Sequence, residues 1–190
     1  MFFKKLEKYE VLLASESKRR HELLNGLKVN FKYISQKANE SYPEKLTKHE
    51  ITDYLAKKKS SDLKKNLKKN ELLITADTIV WFNNSPLEKP KNRNEAIKMI
   101  KYLSNNSHQV ISSVCISTNK IQKIINESTK VYFDELSDND IKYYASNYDV
   151  LDRAGSYGIQ DYIGYLGISR IEGCYNNVLG FPTSLFCKTI

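Results

Sequence analysis

A run of aliphatic, β-branched and aromatic residues from Leu72 to Phe82 is interrupted by a single acidic residue, Asp77. The run has the composition of a buried β-strand, and it constrains the fold more than any other stretch. Because burial of an unpaired carboxylate is strongly unfavourable, Asp77 must be paired, must bind a cation, or must lie where the strand opens onto a cleft. A bulge or a strand end at Asp77 is the alternative, although the strand pattern resumes at Ile79.

The composition is that of a globular protein. With 190 residues, of which 41% are hydrophobic, the chain can form one domain over residues 1–190 with two lobes around a cleft. No segment approaches the roughly 20 apolar residues of a membrane span, and the first residues lack a signal peptide's apolar region. We therefore expect a cytoplasmic protein without membrane contact.

Hydrophobic periodicity predicts strands and helices that alternate along the chain. The predicted strands cover residues 9–14, 31–35, 72–82, 109–118 and 120–133, and the last two form a hairpin. The predicted helices cover residues 19–27 and 92–103, and two more begin near Thr47 and Ser137.

A net charge of +8 is compatible with a polyanionic partner such as nucleic acid. Much of the excess lies in one lysine-rich helix, whose lysines are mostly explained as a solvated face. Lys59 differs because it shares a row at four-residue spacing with apolar residues, namely Ile51, Leu55, Leu63 and Leu67. The spacing predicts that Lys59 points inward, where its ammonium either reaches back to solvent or faces an anion.

The segment from Ser15 to Arg20 joins the first predicted strand to the first predicted helix. Ser17 suits the N-cap position, yet the helix then begins with three basic residues, where the helix dipole favours negative charge. A bound phosphate resolves this conflict, because backbone N–H groups, serine hydroxyls and guanidinium groups all donate to an oxyanion. Basic residues that decorate an ordinary surface turn are the alternative.

A second candidate ligand loop runs from Leu151 to Gln160 and contains two glycines with a tyrosine between them. Such a composition is typical of a loop whose backbone approaches a ligand closely. The Gln160 amide donates and accepts hydrogen bonds together, as the edge of a nucleobase requires. An ordinary tight loop explains the same residues if they are considered alone.

Together these segments provide an acidic strand residue, an oxyanion loop and several lysines, including Lys89 after the central strand. Phosphate chemistry uses this combination, in which carboxylates hold a metal, a water is activated and cations absorb charge on the phosphates. The sequence contains neither the P-loop lysine motif nor the dinucleotide glycine fingerprint. Neither a P-loop kinase nor a dehydrogenase is therefore indicated.

Five spaced motifs resemble the signature set of the Maf family, the septum-formation-inhibitor-like nucleoside triphosphate pyrophosphatases. In chain order they are Leu13-Ala14-Ser15-x-Ser17-x-Arg19-Arg20-x-x-Leu23-Leu24, Ala76-Asp77-Thr78-Ile79-Val80, Glu88-Lys89-Pro90, Ala154-Gly155-Ser156-Tyr157-Gly158-Ile159-Gln160 and Gly173-x-Tyr175-x-Asn177-Val178-x-Gly180-x-Pro182. The likeness extends from about Val11 to the C-terminus, in the family's order.

The resemblance implies hydrolysis of a nucleoside triphosphate between its α and β phosphates with Mg²⁺ or Mn²⁺. It also implies a two-lobed α/β fold similar to inosine-triphosphate pyrophosphatases, with an elongated mixed sheet flanked by helices, a central cleft and often a homodimer. By position, Asp77 is the expected general base, and Asp77 and Glu40 are the expected metal ligands. The residues expected to bind the phosphates are Ser15, Ser17, Arg20, Lys59 and Lys89.

The ending of the Gln160 loop resembles the subgroup that acts on dTTP and UTP, where positions matching Arg19, Thr78 and Gln160 are associated with base selection. We therefore expect a pyrimidine triphosphate as substrate, with roles in keeping non-standard nucleotides out of nucleic acids and in cell-division arrest. Four residues depart from the family's usual pattern. Lys18 replaces a proline, Ser113 and Asp161 each replace a glycine, and Arg153 replaces a lysine, with Asp161 bearing most directly on specificity.

A non-catalytic regulator of septation that binds protein or nucleic acid is the competing hypothesis. The family name and the net charge both support it. A pure binding module, however, needs no carboxylate in a buried central strand. Salt separates the two, because binding to nucleic acid weakens steeply as salt rises, whereas a closed metal–phosphate site depends mainly on the divalent cation.

Overall fold

A computed structural model describes residues 2–36 and 39–190. Its strands are β1 (Glu10–Leu13), β2 (Phe31–Tyr33), β3 (Glu71–Phe82), β4 (Ser85–Leu87), β5 (Ser107–Ser117), β6 (Gln122–Phe133) and β7 (Ile168–Glu172). Its helices are α1 (Phe2–Leu6), α2 (Lys18–Gly26), α3 (His49–Lys64), α4 (Arg93–Leu103), α5 (Asp138–Asn147), α6 (Tyr162–Gly167), α7 (Tyr175–Val178) and α8 (Thr183–Thr189), with a 3₁₀ turn at Ala154–Ser156. No helix in these ranges is long and apolar enough to cross a membrane.

In the described part of the chain, the strands form one seven-stranded sheet in the order β2-β1-β3-β5-β6-β7, and β4 pairs with β3. β1 is parallel to both β2 and β3, whereas β4 is antiparallel to β3 and β7 is antiparallel to β6. The predicted α/β class, with a mixed sheet and helices, is therefore confirmed. The elongated shape, the central cleft and the single domain over residues 1–190 stay predictions.

The chain folds as two compact units. The first comprises Met1–Asp77, Ser112–Glu127 and Gly180–Ile190, and the second comprises Thr78–Ile111 and Ser128–Leu179. Three long strands, β3, β5 and β6, contribute residues to both units. Asp77 is the last residue that β3 contributes to the first unit.

In the first unit, the alternation of side chains along β3 sets the direction of Asp77. Ile74 and Ala76 pack in a hydrophobic cluster that includes residues of α2 and α8, and burial of each large aliphatic side chain contributes about 1.5–3 kcal/mol. Thr75 points the other way and donates its hydroxyl to the Ala56 carbonyl of α3 at 2.7 Å. Because successive strand residues face opposite sides, Asp77 shares the face of Thr75 and points toward α3.

Buried hydroxyl contacts fix α3 on β5 within the first unit. Thr52 Oγ1 lies 2.6 Å from Ser113 Oγ, and Ser60 Oγ lies 2.8 Å from Ser117 Oγ. Ser113 Oγ also donates to Asp53 Oδ1 at 2.6 Å. Ser113, a departure from the family's usual glycine, thus bonds directly to the helix that carries Lys59.

Both ends of α3 differ from the sequence prediction. The helix begins at His49 with Lys48 in the N-cap position, whereas Thr47 donates its N–H and hydroxyl to Glu50 Oε2 at 2.9 and 3.0 Å. It ends at Lys64, so Leu67 continues the apolar row beyond the helix. Leu67 still packs on the cluster that Leu73 forms with Leu12 and Ala14.

In the second unit, α4 and α5 pack their apolar faces into one hydrophobic core. Ile100, Leu103, Ile141 and Tyr144 are fully buried there. Both helices begin with a side-chain cap, since Asn92 accepts from the Glu95 N–H at 2.9 Å and Ser137 accepts from the Asp140 N–H at 3.1 Å. The predicted starts of these two helices are therefore confirmed.

Candidate active site

Lys59 lies between two carboxylates in the first unit. Its Nζ donates to Asp77 Oδ1 at 2.6 Å and to Glu40 Oε1 at 2.8 Å. The exposed fraction is 9% for the Asp77 side chain, 15% for Lys59 and 53% for Glu40. The cluster therefore runs from a buried carboxylate, through a nearly buried ammonium, to a carboxylate that reaches solvent, and Lys59 points inward as its spacing predicted.

Two successive contacts between α3 and β3 produce this arrangement. Thr75 and Asp77 are two residues apart on the strand, and Ala56 and Lys59 are three residues apart on the helix, so each pair shares one face. Thr75 bonds to Ala56, and Asp77 bonds to Lys59. The local periods of a strand and a helix thus place the Lys59 ammonium against the Asp77 carboxylate.

Burial dominates the electrostatics of Asp77 and raises the pKa of its carboxyl above the ordinary aspartate value. The charges of Lys59 and Arg20 lower that pKa and offset part of the rise, whereas the Glu40 carboxylate adds to it. A carboxylate with a raised pKa is a stronger base than an exposed aspartate, which suits it to accept a proton from water near neutral pH.

Arg20 fixes the Ser15 loop to the strand that carries Asp77. Its Nη1 donates to Ser15 Oγ and to the Ala76 carbonyl, both at 3.1 Å, and its Nε donates to the Gly180 carbonyl at 2.9 Å. Ser15 Oγ also accepts from the Ser17 N–H at 3.3 Å. Arg20 therefore holds three segments together, while its predicted contact with a phosphate stays a prediction.

The N-terminus of α2 keeps the charge conflict that the sequence indicated. Its first turn contains no acidic residue, and the Ser17 side chain occupies the N-cap position without making a capping hydrogen bond. Lys18 is exposed at the first helical position, where proline is also well tolerated. Arg19 is half-buried beside it, and the roles predicted for Ser17 and Arg19 stay predictions.

Three predicted site residues belong to the second unit. Thr78 directly follows Asp77 and is half-buried, and Lys89 forms an ion pair with Asp152 at 3.0 Å in which both side chains are mostly exposed. Gln160 is half-buried, and its Oε1 atom is buried without a hydrogen-bond partner among the described residues. A buried amide oxygen without a partner is costly, so Gln160 has an acceptor that a ligand could satisfy.

Two of the departures from the family pattern are partners, since Arg153 and Asp161 form an ion pair. The Tyr144 hydroxyl donates to Asp161 Oδ2 at 2.8 Å. It also accepts from Arg153 Nη1 at 3.1 Å and from the Gly158 N–H at 3.0 Å. Sequence reasoning missed this cluster because Tyr144 lies on α5, well before the loop in sequence.

Close packing explains one glycine of the same loop. Gly155 has a φ of +71°, and a Cβ atom there would lie 2.8 Å from Val80 Cγ2 on β3. A larger residue would meet both the strain of a left-handed backbone and a clash with the strand. The loop therefore lies directly against β3 in the second unit.

The sequence matches the family described as Maf-like protein over residues 10–190. The chain belongs to the Maf family. A protein named dTTP/UTP pyrophosphatase from Flavobacterium psychrophilum is 48% identical over 183 residues, which is 96% of this chain and 94% of that protein. A protein of the same name from Flavobacterium johnsoniae is 45% identical over 184 residues, which is 97% of this chain and 95% of that protein. The family resemblance inferred from the motifs is thus confirmed.

Among solved structures, a nucleoside-triphosphatase / dITP/XTP pyrophosphatase from Mycobacterium abscessus aligns with a TM-score of 0.44 at 13% identity. The alignment covers 67% of this chain and 75% of that chain. A likeness at this level carries no argument about the site.

The candidate site of this Maf-family chain fits a divalent metal only together with a ligand. Among residues 2–36 and 39–190, no group of three or more His, Cys, Asp or Glu side chains is placed to hold a metal ion. Asp77 and Glu40 do provide two carboxylates that meet at Lys59. Mg²⁺ is commonly bound by one or two carboxylates plus substrate phosphates, so this donor set fits a metal shared with a triphosphate.

His108 anchors the Gln160 loop at Tyr157, a role that sequence reasoning missed. It is only 2% exposed, its Nε2 lies 2.6 Å from Tyr157 Oη, and its ring stacks on Phe133. Burial lowers the pKa of His108 from 6.5 to about 3. His108 is therefore neutral at physiological pH and serves as part of the core.

We expect this buried histidine to make the fold sensitive to mild acid. Between pH 6.5 and about 3 the unfolded chain binds a proton that folded His108 does not, so the free energy of unfolding falls by about 1.4 kcal/mol per pH unit below 6.5. Urea unfolding at pH 7 and pH 5 should show a loss about 2 kcal/mol larger in the wild type than in His108→Gln.

The matched control is His49→Gln, which changes an exposed histidine. It leaves His108 in place and should therefore retain the loss of stability that His108 causes between pH 7 and pH 5. Identical pH dependence in His108→Gln and the wild type would contradict the buried, neutral state of His108.

Proposed function

We propose that this chain is a nucleoside triphosphate pyrophosphatase that hydrolyses dTTP and UTP to the monophosphate and pyrophosphate. Relatives at 45–48% identity, aligned over nearly their full length, are named dTTP/UTP pyrophosphatase. The observation that carries the proposal is the buried Asp77 carboxylate held by Lys59 beside Glu40. A base, a cation and a second carboxylate in one cluster are the groups that phosphoanhydride hydrolysis needs.

In the proposed reaction Asp77 accepts a proton from the attacking water. Burial makes its carboxylate a stronger base, and the hydrogen bond from Lys59 fixes one oxygen so that the other can face the water. General-base catalysis of this kind contributes about 10²- to 10⁴-fold to the rate. The pyrophosphate leaving group carries away negative charge that nearby cations stabilise.

Positive charge for the phosphates comes from residues of the first unit. Lys59 supplies an ammonium, and the N-terminus of α2 supplies backbone N–H groups beside Ser15 and Ser17. Arg20 holds the Ser15 loop beside the strand that carries Asp77 through its bond to the Ala76 carbonyl. The phosphate contact expected of Lys89, which belongs to the second unit, stays a prediction.

Asp77 and Glu40 would hold the divalent cation, Mg²⁺ or Mn²⁺, that the family resemblance implies. When bound, such a cation neutralises charge on the phosphates and favours ionisation of water. The donor chemistry of two carboxylates plus phosphate oxygens supports either ion.

Gln160 supports the choice of thymine or uracil over cytosine. Its buried Oε1 lacks a partner among the described residues, so it suits a ligand that donates an N–H. Thymine and uracil donate N3–H and accept at O4, which matches the donor and acceptor of one glutamine amide. Cytosine offers the reverse pattern at these positions, and a site built for one pattern rejects the other. Arg19 and Thr78 complete the proposed selection set.

The competing candidate, a non-catalytic septation regulator, is favoured by no contact in the described residues. Its remaining support is the net charge of +8. A binding surface would gain nothing from a carboxylate whose burial raises its pKa, whereas a base does gain from it.

A nucleotide panel tests the proposal. Purified protein is incubated with Mg²⁺ or Mn²⁺ and dTTP, UTP, CTP, GTP, 7-methyl-GTP or ITP, and pyrophosphate release is measured. We expect kcat/KM for dTTP and UTP to exceed that for CTP by about 100-fold or more, because CTP leaves the Gln160 amide mispaired. In Gln160→Ala this preference should fall by about tenfold or more.

Activity on purine nucleotides alone would keep the chemistry and contradict the proposed pyrimidine substrate. The absence of pyrophosphate release from every nucleotide, combined with salt-sensitive binding to nucleic acid, would contradict the whole proposal.

A homodimer and a cytoplasmic location belong to the same proposal. Tyr165 and Leu166 of α6 are strongly exposed apolar side chains, which supports a protein contact on the second unit. Nucleoside triphosphates are the substrates of cytoplasmic polymerases, which supports the location. Light scattering after size exclusion measures the mass, for which the proposal predicts twice 22.0 kDa.

A further inference from the structure

We propose that Tyr144, Arg153 and Asp161 form a positioning cluster that holds Gln160 in the orientation needed for base selection. The inference rests on the proposed function, because base selection by Gln160 is part of that function. The three residues themselves would not touch the substrate. It concerns the second unit alone.

The Tyr144 hydroxyl is the centre of the cluster, and every hydrogen-bonding position it has is used. The side chain is fully buried. Its O–H donates to Asp161 Oδ2 at 2.8 Å, and its oxygen accepts from the Gly158 N–H at 3.0 Å and from Arg153 Nη1 at 3.1 Å. A hydroxyl has one donor and two acceptor sites, so this one is saturated. Such a centre fixes its three partners relative to one another.

Two of those partners flank Gln160 in sequence. Gly158 lies two residues before it and Asp161 follows it directly, and the Asp161 N–H closes the turn on the Gly158 carbonyl at 3.1 Å. Because both ends of this turn are bonded to Tyr144, the backbone of Gln160 has little freedom. The side chain that carries the buried Oε1 therefore starts from a fixed position.

The Asp161 carboxylate is committed to this cluster instead of to its own helix. Asp161 occupies the N-cap position of α6 with an extended backbone, where an aspartate normally accepts from a helix N–H. It makes no such side-chain bond, although its carbonyl accepts from the Gly164 N–H at 2.9 Å. Its carboxylate contacts Arg153 and Tyr144 instead. The Asp161 carboxylate therefore does not cap α6 and instead bonds to the residues that hold the loop.

Gly158 shows how closely the ion pair covers the loop. A Cβ atom at this position would lie 2.1 Å from Arg153 Nη1 and 2.7 Å from Asp161 Oδ2. The guanidinium and the carboxylate therefore pack directly on the backbone two residues before Gln160. With both charged side chains mostly buried, loss of one partner leaves the other uncompensated.

The test is a Tyr144→Phe variant, which removes the hydroxyl and keeps the ring. We expect the ratio of kcat/KM for dTTP to that for CTP to fall by about tenfold, the effect of losing one well-placed hydrogen bond at Gln160. The loss should lie mainly in KM for dTTP, and turnover of CTP should change by less than about twofold. The matched control is Tyr148→Phe, because that ring stacks on Tyr144 at 4.8 Å and its hydroxyl is outside the cluster.

A second variant background, Gln160→Ala, distinguishes positioning of Gln160 from a general loss of stability or activity. In Gln160→Ala, the added Tyr144→Phe change should leave the dTTP/CTP ratio unaltered, since the cluster acts through the missing side chain. Asp161→Asn is the parallel variant if Tyr144→Phe lowers expression, because it removes a charge without changing shape. It should lower the same ratio and show the same dependence on Gln160.

Two results would overturn the inference. One is an unchanged dTTP/CTP ratio in Tyr144→Phe, including an equal loss of activity on every nucleotide, and the other is a further fall of the ratio in the Gln160→Ala background. Each of these requires that the wild type hydrolyse dTTP in preference to CTP. A wild type without that preference contradicts the proposed function itself, so the two failures are distinguishable.

Discussion

Asp77→Asn should abolish most turnover while leaving nucleotide binding almost intact. We expect kcat for dTTP to fall by about 10²- to 10⁴-fold, the usual contribution of a general base. The Kd for a non-hydrolysable dTTP analogue should stay within about tenfold, because the base acts on the transition state more than on the ground state. Steady-state kinetics and calorimetric titration measure the two quantities.

The same variant should not destabilise the fold. Because the folded-state pKa of Asp77 is raised, folding favours its protonated form, and stability falls as pH rises through the window above the ordinary aspartate value. The ionised carboxylate therefore costs stability at pH 7, and a neutral amide removes that cost. Lys59 keeps Glu40 as its partner. We expect a Tm equal to or above that of the wild type.

The control is Asp62→Asn, which makes the same chemical change at an exposed residue of α3. It should leave kcat and Tm unaltered. Equal losses of binding and turnover in Asp77→Asn, together with a Tm that falls by the several degrees expected for a broken buried ion pair, would assign Asp77 a structural role instead.

Lys59→Met should have the second largest effect, and it should change the pH profile as well as the rate. Removal of one preorganised cation is expected to lower kcat/KM for dTTP by about 10²- to 10³-fold. Lys59 also lowers the pKa of Asp77, so its loss should move the acid limb of the kcat/KM profile to higher pH. The acid limb moves to higher pH because a base with a higher pKa is deprotonated only at higher pH.

Lys57→Met is the matched control, since Lys57 is an exposed lysine on the same helix. Its pH profile and rate should match the wild type. A Lys59→Met enzyme that is slower but has an unshifted acid limb would show that Lys59 contacts the phosphates without controlling Asp77. An unaltered kcat/KM would show that Lys59 does not take part in binding or catalysis.

The sequence was sufficient to predict the direction of a side chain wherever local periodicity determines it. The four-residue row through Lys59 predicted an inward lysine, and the apolar run around Asp77 predicted a buried strand, because the helix and strand periods act over a few residues. The ends of α3 were less predictable. Thr47 looked like a cap, yet its hydroxyl and N–H donate to Glu50 one turn later.

The sequence could not reveal contacts between residues distant along the chain. Tyr144 reads as one more tyrosine on an amphipathic helix, and only the packing of α5 brings its hydroxyl to Gly158 and Asp161. His108 lay outside the predicted strand, which began at residue 109, two positions after the observed start at Ser107. In these cases the partners lie 14 to 49 residues away, where spacing along the chain carries no information.

The product of dTTP hydrolysis tests the central claim most directly. Wild-type protein and Asp77→Asn are incubated with dTTP and Mg²⁺, and the products are separated by ion-exchange chromatography and identified by phosphorus NMR. We predict dTMP and pyrophosphate in equal amounts from the wild type, and neither product above background from Asp77→Asn in the same time. Formation of dTDP and orthophosphate, or no hydrolysis by the wild type, would contradict the proposed pyrophosphatase.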